Sequence, residues 1–196
     1  METETANAKA GLRKRICAVL RGLSEGKREM DSAKLRAKLG EQSFYRGAAS
    51  ILFFASLPAE VDLWPLLENA LAAGKIVALP RFDQDRQRYA PHRVGHPRAE
   101  LAPGRFGIRE PAANCAEIPL EDLDLVLVPG VAFDLNGRRL GRGKGFYDRL
   151  LADCPAWRIG LAFDEQIVDQ VPAEERDVKM DWILTPERCV KPAGDR

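Results

Sequence analysis

The 196-residue chain predicts an α/β protein: a single compact domain over residues 1–196, with a central mostly parallel sheet flanked by helices. Three observations carry this reading. Short apolar runs of strand length alternate with segments of helical periodicity, as in strands joined by helical crossovers. Runs such as "LDLVLVP" are apolar at nearly every position, the mark of strands covered on both faces. No internal repeat, low-complexity tract or long linker divides the chain.

The elements follow in order. Leu12, Ile16, Val19, Leu20 and Leu23 recur at helical spacing and predict an amphipathic first helix, with Lys9, Arg13, Lys14 and Arg21 mostly off its apolar face. A second helix is expected between Ser32 and Leu39, closed by Gly40. "SILFFAS" (Ser50 to Ser56) has strand length. "EVDLWPLLENALAAG" reads as a helix that Asp62 caps, Pro65 enters in the first turn and Gly74 ends. "KIVALP" (Lys75 to Pro80) is the next strand. From Arg81 to Ile118 the chain is polar and rich in turn signals, which predicts short strands and loops, with His92 and His96 on the surface. "LDLVLVP" is the strongest buried strand, and Asn136-Gly137 signals a tight turn that folds "VAFDLNGRRLG" back on itself. A helix from about Gly145 to Ala152 and two late strands, "WRIGLAF" and "DWILTP", complete the pattern.

Composition narrows the function. A formal net charge of +1 argues against a general nucleic-acid binder, whose affinity rests on many uncompensated phosphate contacts. RNA association through Lys9 to Arg15 and Arg138 to Lys144 is disfavoured further by the lack of interleaved aromatics. Cys17, Cys115, Cys154 and Cys189 show neither a CxxC pair nor zinc spacing and read as reduced thiols, Cys17 beside the helical apolar stripe. No apolar run approaches the roughly 20 residues of a membrane span, and the N-terminus lacks the apolar centre of a secretory signal. A cytoplasmic protein with no membrane or nucleic-acid partner is expected. No Ser/His/Asp arrangement or thiol nucleophile follows from spacing.

The chemistry concentrates in "GRRLGRGKGFYDRLL" (Gly137 to Leu151), where a buried strand gives way to glycines alternating with cations. Gly141, Gly143 and Gly145 let backbone approach a ligand or take positive φ, and the N–H groups there and at the start of the following helix suit an anion. Arg139, Arg142 and Lys144 add full charges, Arg as a planar fork and Lys as a mobile point charge. The loop is not a Walker A motif, because Lys144 is followed by Gly145 rather than Ser or Thr, and Phe146 breaks GxGxxG. Asp148 suits Mg²⁺ held against the same phosphates, or an ordinary early-helix acid favoured by the dipole. A solvated basic turn is the plain alternative for the whole loop.

The stretch "LVLVPGVAFDLNGRRLGRGKGFYDRLL" resembles the signature region of the 5-formyltetrahydrofolate cyclo-ligase family. Further likenesses occur in order along the chain: "KAGLRKRI", "FFASLPAEVDLWPLL", "KIVALPRF", "FGIREP" and "VPAEERDVKMDWILTP". The resemblance implies an α/β fold and ATP- and Mg²⁺-dependent conversion of 5-formyltetrahydrofolate to 5,10-methenyltetrahydrofolate, with ADP and phosphate released. It puts Lys9 and Arg13 at the nucleotide phosphates, and Arg139, Leu140, Gly141, Arg142, Gly143, Lys144, Gly145, Phe146 and Tyr147 in the nucleotide-binding segment. Arg142 and Lys144 are the candidates for transition-state charge. Asp148 and Asp177 match the metal positions, and Leu57 and Asp62 the folate side; Glu60 close by is a further polar candidate there, and Tyr147 an aromatic candidate to flank the pterin. Phe54 and Trp64 are further aromatic candidates, and Arg81 a further cation. Phe146 stands where many relatives carry a second Tyr, which leaves it a packing role, and Asp83 to Pro97 matches nothing. The implied partners are ATP and 5-formyltetrahydrofolate, with a monomer favoured; a non-catalytic nucleotide-, phosphosugar- or coenzyme-binding α/β protein is the rival reading.

Overall fold

The computed structural model describes residues 2–174 and 177–193, so residues 175 and 176 of the C-terminal stretch lie outside it. Helix α1 (Glu2–Gly22) buries Leu12, Ile16 and Leu20 at helical spacing, and Lys9 continues that buried stripe at 9% exposure. Val19 instead stands 42% exposed. Helix α2 (Glu25–Glu41) starts well before Ser32, because Ser24 caps it by accepting the Lys27 N–H at 3.2 Å. Gly40 lies inside α2 rather than ending it. A helical glycine costs only about 1 kcal/mol, whereas full burial of Leu35 and Leu39 contributes about 1.5–3 kcal/mol each.

After a short helix α3 (Ser43–Gly47) come strand β1 (Ser50–Leu52), helix α4 (Trp64–Ala72) and strand β2 (Ile76–Asp83). Strand β3 (Arg88–Arg93) returns antiparallel to β2. His92 sits within it at 2% exposure, so only His96 is on the surface. The correction has a local cause: the long β2–β3 ribbon covers its own polar-looking segment, and His92 Nδ1 lies 3.0 Å from the Ala90 carbonyl. The outer flank of β3 is itself covered, since Arg93 N–H donates to Ala116 O and Ile118 N–H to Pro91 O. A single helical turn α5 (Pro97–Glu100) then leads into a hairpin of β4 (Leu101–Pro103) and β5 (Arg109–Pro111).

Strand β6 (Leu125–Pro129) forms as expected, and β7 (Ala132–Asp134) pairs back with β8 (Arg139–Leu140) through the Asn136-Gly137 turn. Helix α6 (Phe146–Ala152), β9 (Trp157–Leu161), β10 (Ile167–Val168), β11 (Trp182–Leu184) and β12 (Cys189–Val190) follow. The main sheet has seven strands in the order β12-β11-β9-β6-β1-β2-β3, parallel except for β3 and β12 at the edges.

Alternate residues of each inner strand feed two cores. Ile51, Leu125, Leu127 and Ile159 join α1, α2 and α4 on one face; Leu52, Val126 and Val128 join α6 on the other. This double coverage explains the near-continuous apolar runs. From β1 the chain winds outward to β2, then returns to β6 on the opposite side, so the winding reverses between β1 and β6. The carboxyl ends of strands at such a reversal frame a crevice.

Candidate functional site

A cleft of about 350 Å³ occupies that crevice. Its walls come from the loop after β1 (Phe54, Ala55, Leu57, Glu60), the end of β6 (Pro129, Gly130) and the glycine-basic segment from Arg139 to Asp148. Pro80, Tyr89 and Ile108 close the remaining side. The last three were not anticipated from the sequence; Tyr89 lies in the stretch without a match, and Ile108 in "FGIREP" offered only its place in a motif.

The glycine-basic loop takes its shape from two residues in the left-handed region, Gly143 at φ +95° and Gly145 at φ +63°, where a Cβ is strained. Gly145 precedes α6, which has only two turns and so no long macrodipole. The loop is braced from behind. Arg13 Nε donates to Gly141 O at 2.8 Å, and a Cβ at Gly143 would stand 3.4 Å from the Arg13 guanidinium carbon. Lys9 is held by Asp177 at 2.7 Å and by Glu174 at 3.4 Å. Leu140 is 1% exposed and belongs to the core.

Three cations line the cleft with different freedom. Lys144 is exposed and makes no ion pair or hydrogen bond among the described residues. Arg142 reaches across the opening to Glu60, Nη2 to Oε1 at 2.9 Å, while the second Glu60 oxygen accepts the Leu57 N–H at 3.0 Å. Arg139 is buried: it donates to Asp148 Oδ1 at 2.7 Å and to Pro129 O at 3.3 Å, and its Nε has no partner among the described residues. The Arg139 guanidinium also lies 5.7 Å from the Tyr147 ring centroid. Burial, with a smaller contribution from the Glu60 charge, pushes the Tyr147 phenol far above its ordinary pKa, so it stays a neutral donor.

Phe146 packs edge-on against Phe82 and Tyr89, each at 5.2 Å between centroids. That geometry gives the packing role expected where relatives carry Tyr. Asp148 lines the cleft, whereas Asp177 does not and is spent on Lys9 and on the Glu174 N–H at 2.8 Å. Among the described residues no group of three or more His, Cys, Asp or Glu side chains is set to hold a metal. Mg²⁺ ordinarily takes one or two protein carboxylates and completes its shell with phosphate oxygens and water, and Asp148 at the cleft wall fits that mode.

Asp62, matched to the folate side, does not line the cleft: Oδ1 accepts the Trp64 N–H at 3.0 Å and Oδ2 lies 3.4 Å from Arg36. The expected cap is displaced by one residue: Leu63 is the N-cap and has no side-chain cap bond, and Asp62 before it meets only the N–H of the helix's first residue. Trp64 packs against the core, and Arg81 donates to Ala112 O at 2.9 Å.

Two supporting groups carry no sequence signal of their own. Gln166 donates to Gly130 O and Val131 O at 2.7 and 3.2 Å and fixes the turn after β6. The Asp134 carboxylate, fully buried, accepts the N–H groups of Asn136, Arg138 and Val171 and sets the hairpin that delivers Arg139.

A doubly wound sheet with cations, glycine backbone and aromatic rings around the crevice at its winding reversal defines the α/β class whose crevice suits an anionic group. The chain belongs to the 5-formyltetrahydrofolate cyclo-ligase family, whose profile matches residues 5–186. It is 33% identical to the mouse 5-formyltetrahydrofolate cyclo-ligase over 94% of this chain and 97% of that one. The Escherichia coli K12 enzyme of the same name is 37% identical over 72% of this chain and 80% of its own. The solved structure of Aquifex aeolicus 5,10-methenyltetrahydrofolate synthetase superposes with a TM-score of 0.86 at 34% identity, covering 96% of this chain and 94% of that chain. No helix among the described residues is long and apolar enough to cross a membrane.

Proposed function

We propose that this chain converts 5-formyltetrahydrofolate to 5,10-methenyltetrahydrofolate at the β1/β6 cleft, at the expense of ATP and with Mg²⁺. The observation that carries the proposal is the meeting of Arg142 and Lys144 with Glu60, Leu57 and Tyr147 around one opening, in a chain of this family.

A formamide is a poor electrophile and its oxygen a poor leaving group. Transfer of the γ-phosphoryl group to the formyl oxygen breaks one P–O bond to ADP and makes one to the folate, giving an iminium phosphate. The neighbouring side-arm nitrogen then attacks the formyl carbon and loses its proton, and phosphate departs with the former formyl oxygen. Alignment of that internal attack is worth about 7–11 kcal/mol where the geometry is right. The protein's share is positioning and charge compensation. Lys144 and Arg142 meet the migrating charge; the glycine backbone lets the phosphate tail approach; Arg13 holds the loop that presents it, while Lys9 pairs with Asp177 and Glu174. Glu60, Leu57 and Tyr147 face the folate, and Asp62 contributes through α4 rather than by contact.

Mg²⁺ would supply charge neutralisation across the phosphates, and Asp148 at the cleft wall would hold it, whereas Asp177 lies outside the cleft lining and is engaged by Lys9. Four cysteines outside any disulfide suit a reducing, cytoplasmic setting.

Purified protein with ATP, Mg²⁺ and 5-formyltetrahydrofolate, each omitted in turn, tests this. Absorbance of the methenyl product is expected only with all three. Tight nucleotide binding indifferent to Mg²⁺ and without product refutes catalysis and favours the non-catalytic binder.

A further inference from the structure

We infer that Glu110, which falls in the "FGIREP" likeness but was given no role above, is a positioning residue for the folate side of the cleft; the inference rests on the function just proposed. Glu110 is 7% exposed on β5 and collects donors from three separate parts of the chain. Its Oε2 accepts the Phe82 N–H of β2 at 3.2 Å, and its Oε1 accepts the Tyr89 hydroxyl of β3 at 3.3 Å and the Arg105 N–H of the hairpin turn at 3.3 Å. The turn presses directly on the acid: a Cβ at Gly104 would lie 2.4 Å from Glu110 Cγ, so only glycine admits this approach.

What these donors share is the wall they build. Tyr89 lines the cleft and packs on Phe146, another lining residue, while Ile108 enters the lining from the turn that Glu110 anchors. An apolar side chain of equal volume would leave buried N–H groups without acceptors and release the turn. A carboxylate also keeps its neighbour in one state: burial and then the Glu110 charge push the Tyr89 phenol up to about 12, so it remains the donor. Glu110 itself does not line the cleft and acts through Tyr89 and Ile108.

The test is a split of kinetic constants. Glu110→Ala should raise KM for 5-formyltetrahydrofolate by about tenfold or more, since misplacement by about 1 Å can cost up to about 10²-fold. KM for ATP should change little. Glu110→Gln keeps one acceptor oxygen for Tyr89 and Arg105 but sets an NH₂ group against the Phe82 N–H. It should therefore lower Tm and yet hold the folate KM near the wild-type value. If Glu110→Ala does not fold, Tyr89→Phe removes a single contact and should raise the folate KM alone, with Tm nearly unchanged. Two results overturn the inference: KM values for both substrates that rise together, or activity lost only in proportion to the unfolded fraction. A wild-type chain that forms no methenyl product overturns the proposed function, and this inference with it.

Discussion

Replacing Glu60 by Gln has an outcome opposite to the usual loss on mutating a cleft residue. Arg142 Nη2 lies 2.9 Å from Glu60 Oε1, so a phosphate that claims Arg142 must first take it from Glu60. The side chains are 58% and 13% exposed respectively, which places the pair near the surface, where such contacts contribute about 0.2–1 kcal/mol. The neutral amide of the variant retains a carbonyl for the Leu57 N–H and releases Arg142. Affinity for a non-hydrolysable ATP analogue, measured without folate, should thus rise by a factor of about 1.4 to 5. Isothermal titration of wild type and Glu60→Gln at low salt gives the ratio directly, and it should shrink as added salt screens the pair. The folate KM of the same variant should rise, because Glu60 also faces the second ligand. Unchanged or weaker nucleotide binding at low salt refutes the exchange.

Lys144→Ala should lower kcat by about 10²–10³ if its ammonium meets charge developing in the transition state; steady-state turnover measures this, and near-wild-type kcat removes Lys144 from the chemistry. Asp134→Ala leaves the N–H groups of Asn136, Arg138 and Val171 without their acceptor. It should cost about 3 kcal/mol or more in urea unfolding, and an unchanged midpoint would show that water replaces the carboxylate. Burial holds the His92 pKa below its ordinary value. Its sign follows: the unfolded chain takes up a proton near pH 6.5 while the folded one resists, so stability present above that pH is lost as pH falls through the depressed value. Denaturant midpoints between about pH 8 and 5 should decline in wild type and decline less in His92→Gln.

Much of this was legible because some sequence signals admit few readings. "LDLVLVP" must be covered on both faces, Asn136-Gly137 makes a tight turn, and glycines alternating with cations after a buried strand point to an anion. These gave β6, the β7–β8 return and the loop at the cleft. What stayed hidden depends on contacts distant in the chain. Lys9 looks like a solvated helical cation until Asp177, far along the sequence, comes to meet it. His92 sits in a run of Arg, Pro and Tyr whose polarity suggests a loop, but pairing with β2 along the full length of β3 buries it. The start of α2 was missed: the helix begins at Glu25, capped by Ser24, rather than at Ser32, and it runs through Gly40, which was expected to close it. Glu110, Asp134 and Gln166 serve backbone groups, and no spacing rule singles out a side chain whose partners are main-chain atoms elsewhere in the fold.

The covered flank of β3 has a bearing on the protein in concentrated solution. Pro91 has no amide hydrogen to offer, its carbonyl already accepts the Ile118 N–H, and the Arg93 N–H already donates to Ala116 O. An incoming extended segment from another molecule would find few groups there with which to zip, and at the far side β12 offers a template of two residues. The ribbon is thus blunted at both margins, a built-in brake on edge-to-edge growth into fibres.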